Sequence, residues 1–189
     1  MKKHALLVID AQQAIIEASE EGPAVVEKEQ LLNTINAVID QSLAADIPIV
    51  FIRDVSVAGG EGAGFQVHEA IRVPESAPIF NKSANNAFHE TPLLGHLKEH
   101  EVEHVIIMGC QTEYCIDSAV RSATDHGFDV TLVSDGHSTT DSPVLKGEEI
   151  VKHHNQTLHW FGNQARFVQV RSSEENLFDP PHESIRQSE

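Results

Sequence analysis

The chain has 189 residues, of which 40% are of hydrophobic types, and a formal net charge of −16 at pH 7. This length is typical of one domain with a sizeable core. With only 13 Lys and Arg against 29 acidic residues, the chain lacks the basic surface that nucleic acid, an anionic membrane or another polyanion requires. A small neutral or cationic substrate is compatible with this charge.

Cysteine usage indicates the redox environment. The chain has two cysteines, no signal-peptide pattern and no apolar run of membrane length, which predicts a cytoplasmic protein in a reducing setting. Cys110 and Cys115 as a redox pair remain an alternative, although their spacing is not CxxC and no resolving partner is evident.

Six short, β-branched apolar runs predict buried strands, at residues 5–9, 47–52, 77–80, 105–108, 128–133 and 166–170. Between them, apolar residues recur at helical spacing, and Pro23, Thr91 with Pro92, and Ser142 with Pro143 indicate helix starts. This alternation predicts an α/β fold with three layers, in which an open, six-stranded, mostly parallel sheet carries helices on both faces.

The predicted strands and helices form a single domain over residues 1–171. Residues 172–189 are polar, contain Pro180 and Pro181 and show no periodicity, so they are expected to be a C-terminal arm or a disordered tail. The glycine-containing stretch 55–73 is long for a connection and is expected to be a lid or a binding loop.

Residues 105–126 read as a strand, a tight turn and a helix. Gly109 ends the strand and Thr112 stands where an N-cap is expected, which makes Cys115 the third helical residue. The positive end of the helix dipole favours a thiolate there, and a thiolate is a nucleophile. The structural alternative is a small buried hydrophobic residue.

Asp10, Lys82 and Cys115 each follow a different predicted strand, so they are expected at one edge of a parallel sheet. A carboxylate can take the thiol proton, and a buried ammonium offsets the negative charges. Backbone N–H groups near Gln111 and Cys115 could receive the oxyanion of an attacked carbonyl. The predicted reaction is acyl transfer to water through a thioester. Taken alone, the aspartate could be a strand-end residue and the lysine a solvated one.

Three blocks of sequence carry a resemblance to a known family: LLVIDAQQ at 6–13, FNKSANNAF at 80–88 and MGCQTEYCIDSAVRSATDHGFDVTLVSD at 108–135. They resemble the isochorismatase-like cysteine hydrolases, a group that includes nicotinamidases, N-carbamoylsarcosine amidases and streptothricin hydrolases. The resemblance implies a catalytic triad of Asp10, Lys82 and Cys115 and an oxyanion hole from the N–H groups of Gln111 and Cys115. It also implies a cis peptide between residues 110 and 111, and a homo-oligomer of two or more copies.

The chain departs from nicotinamidase-like members at their metal site. Those members bind a metal through Asp-x-His and further histidines, whereas this chain has Asp54, Val55 and Ser56. We therefore expect no metal and no cofactor. The segments DGHSTTDSP at 135–143 and HHNQTL at 153–158 look more like streptothricin hydrolases.

The function predicted from sequence is metal-independent, cysteine-dependent hydrolysis of an amide or lactam C–N bond in a small molecule, such as the lactam of streptothricin. Gln12, Tyr114 and His137 are expected to contact the substrate. The alternatives are vinyl ether hydrolysis of the isochorismatase type, a nicotinamidase-like amidase, and a non-catalytic scaffold with the same fold.

Overall fold

The structure is a computed structural model that describes residues 3–19 and 22–188. Its sheet has six strands in the order β3, β2, β1, β4, β5, β6, and every neighbouring pair is parallel. The strands are β1 (Lys3–Ile9), β2 (Ile49–Asp54), β3 (Ile79–Lys82), β4 (Val102–Cys110), β5 (Asp129–Ser138) and β6 (Val168–Arg171). The predicted open α/β sheet is confirmed.

Helices cover both faces of the sheet, as predicted. The helices are α1 (Gln13–Ile16), α2 (Lys28–Ala44), α3 (Gly62–Phe65), α4 (Leu93–Glu99), α5 (Asp117–Asp125), α6 (Gly147–Leu158) and α7 (His182–Ser188). Helix α2 packs in one hydrophobic cluster, and α4 and α5 pack in the other. Within the described ranges, none of these helices has the length and apolar character needed to cross a bilayer.

The central strand β1 shows why the strands are apolar on both sides. Successive strand residues point to opposite faces, so Leu6 and Val8 pack with α2 while Leu7 and Ile9 pack with α4 and α5. All four side chains are fully buried. A continuous apolar run is therefore the pattern that this position requires.

Two predicted helix starts are wrong. Helix α2 begins at Lys28 rather than near Pro23, because the N–H groups of Val25 and Val26 bond to carbonyls of other segments. Helix α6 begins at Gly147 rather than at Ser142. The Ser142 hydroxyl accepts the N–H groups of residues 144 and 145, so a turn forms before the helix.

The segment after β6 lies against the domain and ends in helix α7. Leu177 is fully buried in the α2 cluster, and Arg186 donates to both carboxylate oxygens of buried Asp129 at 2.9 and 2.8 Å. The polar composition of this segment gave no indication of the helix. Residues 1, 2, 20 and 21 of the expected domain and residue 189 of the expected tail lie outside the described residues.

Gly109 permits a close approach of β4 to β1 at the carboxyl edge of the sheet. Its φ is +127°, and a Cβ built there would lie 1.9 Å from the carbonyl oxygen of Ile9. Only glycine fits such a position, since both the backbone conformation and the space exclude a side chain. Because Asp10 follows Ile9, this contact keeps Asp10 next to the end of β4.

We expect Gly109→Ala to lower the free energy of unfolding by about 2–4 kcal/mol, because the two strands must separate. Chemical denaturation measures this loss. The matched control is Gly95→Ala in α4, where a Cβ has open space and alanine favours the helix by up to about 1 kcal/mol. Equal stability of the Gly109 variant and the wild type would contradict the argument.

Candidate active site

Four adjacent strands end at the same edge of the sheet, and each delivers one polar side chain. Lys82 ends β3, Asp54 ends β2 and Asp10 follows β1. Cys115 lies in a single π-helical turn, Thr112–Ile116, between β4 and α5. The structure thus brings together the three predicted residues, and it adds Asp54, which ends the strand between two of them.

The centre of this cluster is the ammonium of Lys82. Its Nζ lies 2.7 Å from Asp10 Oδ2, 2.7 Å from Asp54 Oδ2 and 3.3 Å from Cys115 Sγ. The relative exposures of Asp10, Lys82 and Cys115 are 0%, 2% and 8%. The ammonium donates hydrogen bonds to Asp54 and Cys115, whereas its contact with Asp10 is an ion pair, and little water reaches the site.

Asp54 is held in place from two sides. Its Oδ1 accepts hydrogen bonds from the backbone N–H and the hydroxyl of Ser56, at 2.9 and 2.6 Å. The side chain of Gln12 accepts the backbone N–H of Asp54 at 2.7 Å and donates to the carbonyls of Asp54 and Phe65 at 3.1 and 2.9 Å. Gln12, expected to contact substrate, is instead a fully buried positioning residue with both amide N–H groups used by the backbone.

The donor set does not fit a resident metal ion. Ligand atoms of Asp10, Asp54 and Cys115 lie within 4.8 Å of one another, but the Lys82 ammonium contacts both carboxylates and the sulfur. A divalent cation would have to displace this buried positive charge. The hydroxyl of Ser56, at the position of the histidine in Asp-x-His, donates to Asp54.

Burial sets the protonation of the two groups that would exchange a proton. It raises the pKa of Asp10 to about 6, with Lys82 opposing the shift and Asp54 adding to it. Burial and the charge of Asp10 raise the pKa of Cys115 to about 12, although Lys82 opposes this. The prediction of a resting thiolate is therefore wrong, because desolvation outweighs the favourable charge of the lysine.

The charges of Lys82 and Asp54 are fixed by their mutual contact. Burial alone would lower the pKa of Lys82, but the charge of Asp10 and the contact with Asp54 raise it above its ordinary value. Burial opposes ionisation of Asp54, yet hydrogen bonds from Lys82 and Ser56 lower its pKa. At neutral pH, both groups are charged.

His137 and Thr112 have structural roles that differ from the predicted ones. The amide of Asn155 donates to the carbonyl of Ser134, so its oxygen accepts from His137 Nε2 at 2.9 Å. His137 Nδ1 then accepts the Thr112 hydroxyl at 2.9 Å, and Thr112 makes no N-cap bond. Burial lowers the pKa of His137 to about 4. The neutral ring joins α6 to the π-helical turn, and it has no ring nitrogen left for a substrate.

Residues that precede Cys115 line a cavity, although Cys115 itself does not. The peptide bond between Cys110 and Gln111 is cis. Gln111 and Tyr114, which is 52% exposed, line a cavity of about 330 Å³. Cys110 is a free thiol that is fully buried, and burial raises its pKa.

Comparisons with known proteins identify the family. Residues 4–174 match the Isochorismatase domain, and the chain belongs to this family. Streptothricin hydrolase of Streptomyces noursei is 26% identical over 147 residues, covering 76% of this chain and 57% of that protein. Nicotinamidase of Escherichia coli (strain K12) is 31% identical over 102 residues, covering 48% of this chain and 47% of that protein.

A solved structure described as an isochorismatase family protein has a TM-score of 0.80 at 28% identity, and the match covers 91% of this chain and 99% of that one. The recognition of the family from its three sequence blocks is confirmed. The chain spans about half the length of the curated relatives that it matches.

Asp54→Asn should move the pH dependence of Cys115 alkylation by iodoacetamide to lower pH. The substitution removes a charge that raises the pKa of Asp10 and leaves Lys82 to interact more strongly with Asp10. We expect the pH at which alkylation reaches half of its maximal rate to fall by about one pH unit. The control is Ser56→Ala, which keeps the Asp54 charge and should shift the midpoint less. A midpoint that rises or stays unchanged in Asp54→Asn would contradict this account.

Proposed function

We propose that this chain is a cysteine-dependent hydrolase that cleaves an amide-type C–N bond of a small molecule through a thioester. The observation that supports this most directly is the Lys82 ammonium, 2.7 Å from Asp10 and 3.3 Å from Cys115. This contact joins a proton acceptor, a nucleophile and a fixed positive charge. Family membership and the similarity to a streptothricin hydrolase and a nicotinamidase are consistent with this chemistry.

In the first half of the reaction, the Cys115 thiol loses its proton to Asp10 as the sulfur attacks the substrate carbonyl carbon. Lys82 stabilises the sulfur while it is an anion. The oxyanion accepts hydrogen bonds from the backbone N–H groups of Gln111 and Cys115. As the intermediate collapses, the C–N bond breaks and Asp10 returns the proton to the leaving nitrogen. The products of this half are a free amine and an acyl thioester on Cys115.

In the second half, Asp10 is a carboxylate again and can accept a proton from water. The hydroxide equivalent attacks the thioester carbonyl, and the same N–H groups hold the second oxyanion. The C–S bond then breaks, the acid leaves, and the proton returns to the sulfur. Each proton that Asp10 accepts is given back within the same half.

The proposed reaction needs no metal ion. The positive charge beside the nucleophile comes from Lys82, whose contact with Asp54 occupies the carboxylate that Asp-x-His members use for a metal. A cyclic amide such as the streptothricin lactam is the substrate that we propose to test first, because the similarity to streptothricin hydrolase covers 76% of this chain.

Cys115→Ala should abolish hydrolysis of small amides and lactams, with a loss of at least about a thousandfold in kcat, since no other thiolate can form the thioester. The variant should remain folded, which thermal unfolding would show. A parallel assay of Cys110→Ala is the control and should retain activity. Full activity of the Cys115 variant would exclude the thioester route and favour the vinyl ether alternative.

Activity should depend on the ionisation of Asp10. Because the pKa of Asp10 is raised to about 6, its carboxylate is protonated at lower pH and cannot accept the thiol proton. We expect kcat/KM to rise with pH through about 6 and to fall about tenfold per pH unit below that value. Rates measured from pH 4.5 to 8 test this expectation. A profile that is flat across pH 6 would remove Asp10 from the role of base.

A further inference from the structure

Asn85 is a polar residue beside the proposed nucleophile whose role the proposed reaction does not explain. It lies three positions after Lys82, in the connection between β3 and α4. Its Oδ1 lies 3.9 Å from Cys115 Sγ. The lysine and the two aspartates near this sulfur are buried, whereas Asn85 is exposed. Asn85 is therefore the member of this group that a substrate arriving from solvent can contact.

The chain is anchored on both sides of Asn85, so the fold determines where its side chain lies. On one side, Lys82 ends β3 and contacts the sulfur. On the other side, Asn86 Oδ1 accepts the N–H of Phe88 at 3.0 Å, and Phe88 is buried in the hydrophobic cluster that contains Cys115. A side chain held in this way loses less conformational freedom when it binds a ligand.

The amide of Asn85 has unused hydrogen-bonding capacity. Apart from the long contact with Cys115 Sγ, its side chain makes no hydrogen bond within the part of the chain that the structure describes. An asparagine amide offers an oxygen with two lone pairs and two N–H donors. The oxygen is the atom that faces the sulfur, so the group presented to a substrate at Cys115 is a hydrogen-bond acceptor.

An amide that reacts at Cys115 has one polar group that this acceptor fits. The proposed reaction already assigns the carbonyl oxygen to the backbone N–H groups of Gln111 and Cys115, which leaves the substrate nitrogen. That nitrogen takes the proton that Asp10 returns as the C–N bond breaks. An N–H already on the nitrogen is a donor, and Asn85 can accept it from the exposed side while Asp10 acts from the buried side.

We propose that Asn85 is a specificity-determining residue that accepts the N–H of the scissile amide. The substrate class is then a primary amide, a secondary amide or a lactam with an unsubstituted nitrogen, in preference to esters and N-alkylated amides. A site that hydrogen-bonds a substrate N–H disfavours the analogue that lacks it, because the acceptor is left without its partner. This inference rests on the proposed function, since it places the reacting carbonyl at Cys115.

Two lactams that differ by one methyl group test the inference without knowledge of the natural substrate. The ring nitrogen of 2-piperidone carries an N–H, and that of N-methyl-2-piperidone does not. Each lactam is used to protect Cys115 from methyl methanethiosulfonate, a small thiol reagent without an N–H, and mass spectrometry follows the modification. Because the two differ by one hydrogen bond, 2-piperidone should give half-maximal protection of the wild type at a concentration at least about fivefold lower.

Variants at position 85 separate the hydrogen bond from the bulk of the methyl group. Asn85→Leu keeps the size of the side chain and removes its oxygen, so the ratio of the two protecting concentrations should fall by about fivefold. Asn85→Asp keeps an acceptor and should retain the preference for 2-piperidone. The ratio cancels any change in the reactivity of the sulfur, because both lactams are compared on the same variant. Thermal unfolding checks that each variant is folded.

Asn33→Leu is the matched control. It makes the same substitution, but Asn33 is exposed on α2, which packs on the opposite face of the sheet from Cys115. The ratio should remain that of the wild type.

Three results would overturn the role of Asn85: equal protection by the two lactams, protection by neither at any soluble concentration, or a ratio that Asn85→Leu leaves unchanged. In each case, labelling of Cys115 in the absence of lactam would leave the nucleophile intact. Failure of the reagent to label Cys115 in folded wild-type protein would overturn the nucleophile and this inference together.

Discussion

The structure depends on one buried ammonium that is shared by two carboxylates and a thiol. Buried carboxylates are costly unless they are paired, and Lys82 pairs with both Asp10 and Asp54 at 2.7 Å. With the thiol protonated, the cluster has one negative charge in excess. Moving the thiol proton to Asp10 leaves that total unchanged, so the sulfur can become an anion inside the site without any ion entering or leaving it.

The fold makes this arrangement possible because it places four strand ends side by side. Neighbouring strands lie roughly 4.8 Å apart, and the order β3, β2, β1, β4 presents a lysine, an aspartate, an aspartate and the turn that carries the cysteine. Gly109 brings the end of β4 against the carbonyl of Ile9. The strand ends of the sheet thus position the charged groups, and the π-helical turn positions the proposed nucleophile beside them.

The fold class and the meeting of Asp10, Lys82 and Cys115 were predictable, because strand ends are local in sequence and parallel strands share one edge. Asp54 also ends a strand, but in the sequence it reads as the remnant of an incomplete Asp-x-His metal motif. The protonated thiol could not be predicted, since its pKa depends on desolvation by distant segments. The structural role of His137 could not be predicted either, because its two hydrogen-bond partners, Thr112 and Asn155, lie in different elements.

The excess negative charge also bears on how the proposed reaction ends. Hydrolysis converts an uncharged amide into a carboxylate, which is the form in which the acid leaves at neutral pH. Asp10 and Asp54 then repel the product, whereas Lys82 already contacts both aspartates. In such a site, the negative charge that hydrolysis adds to the acid favours its release.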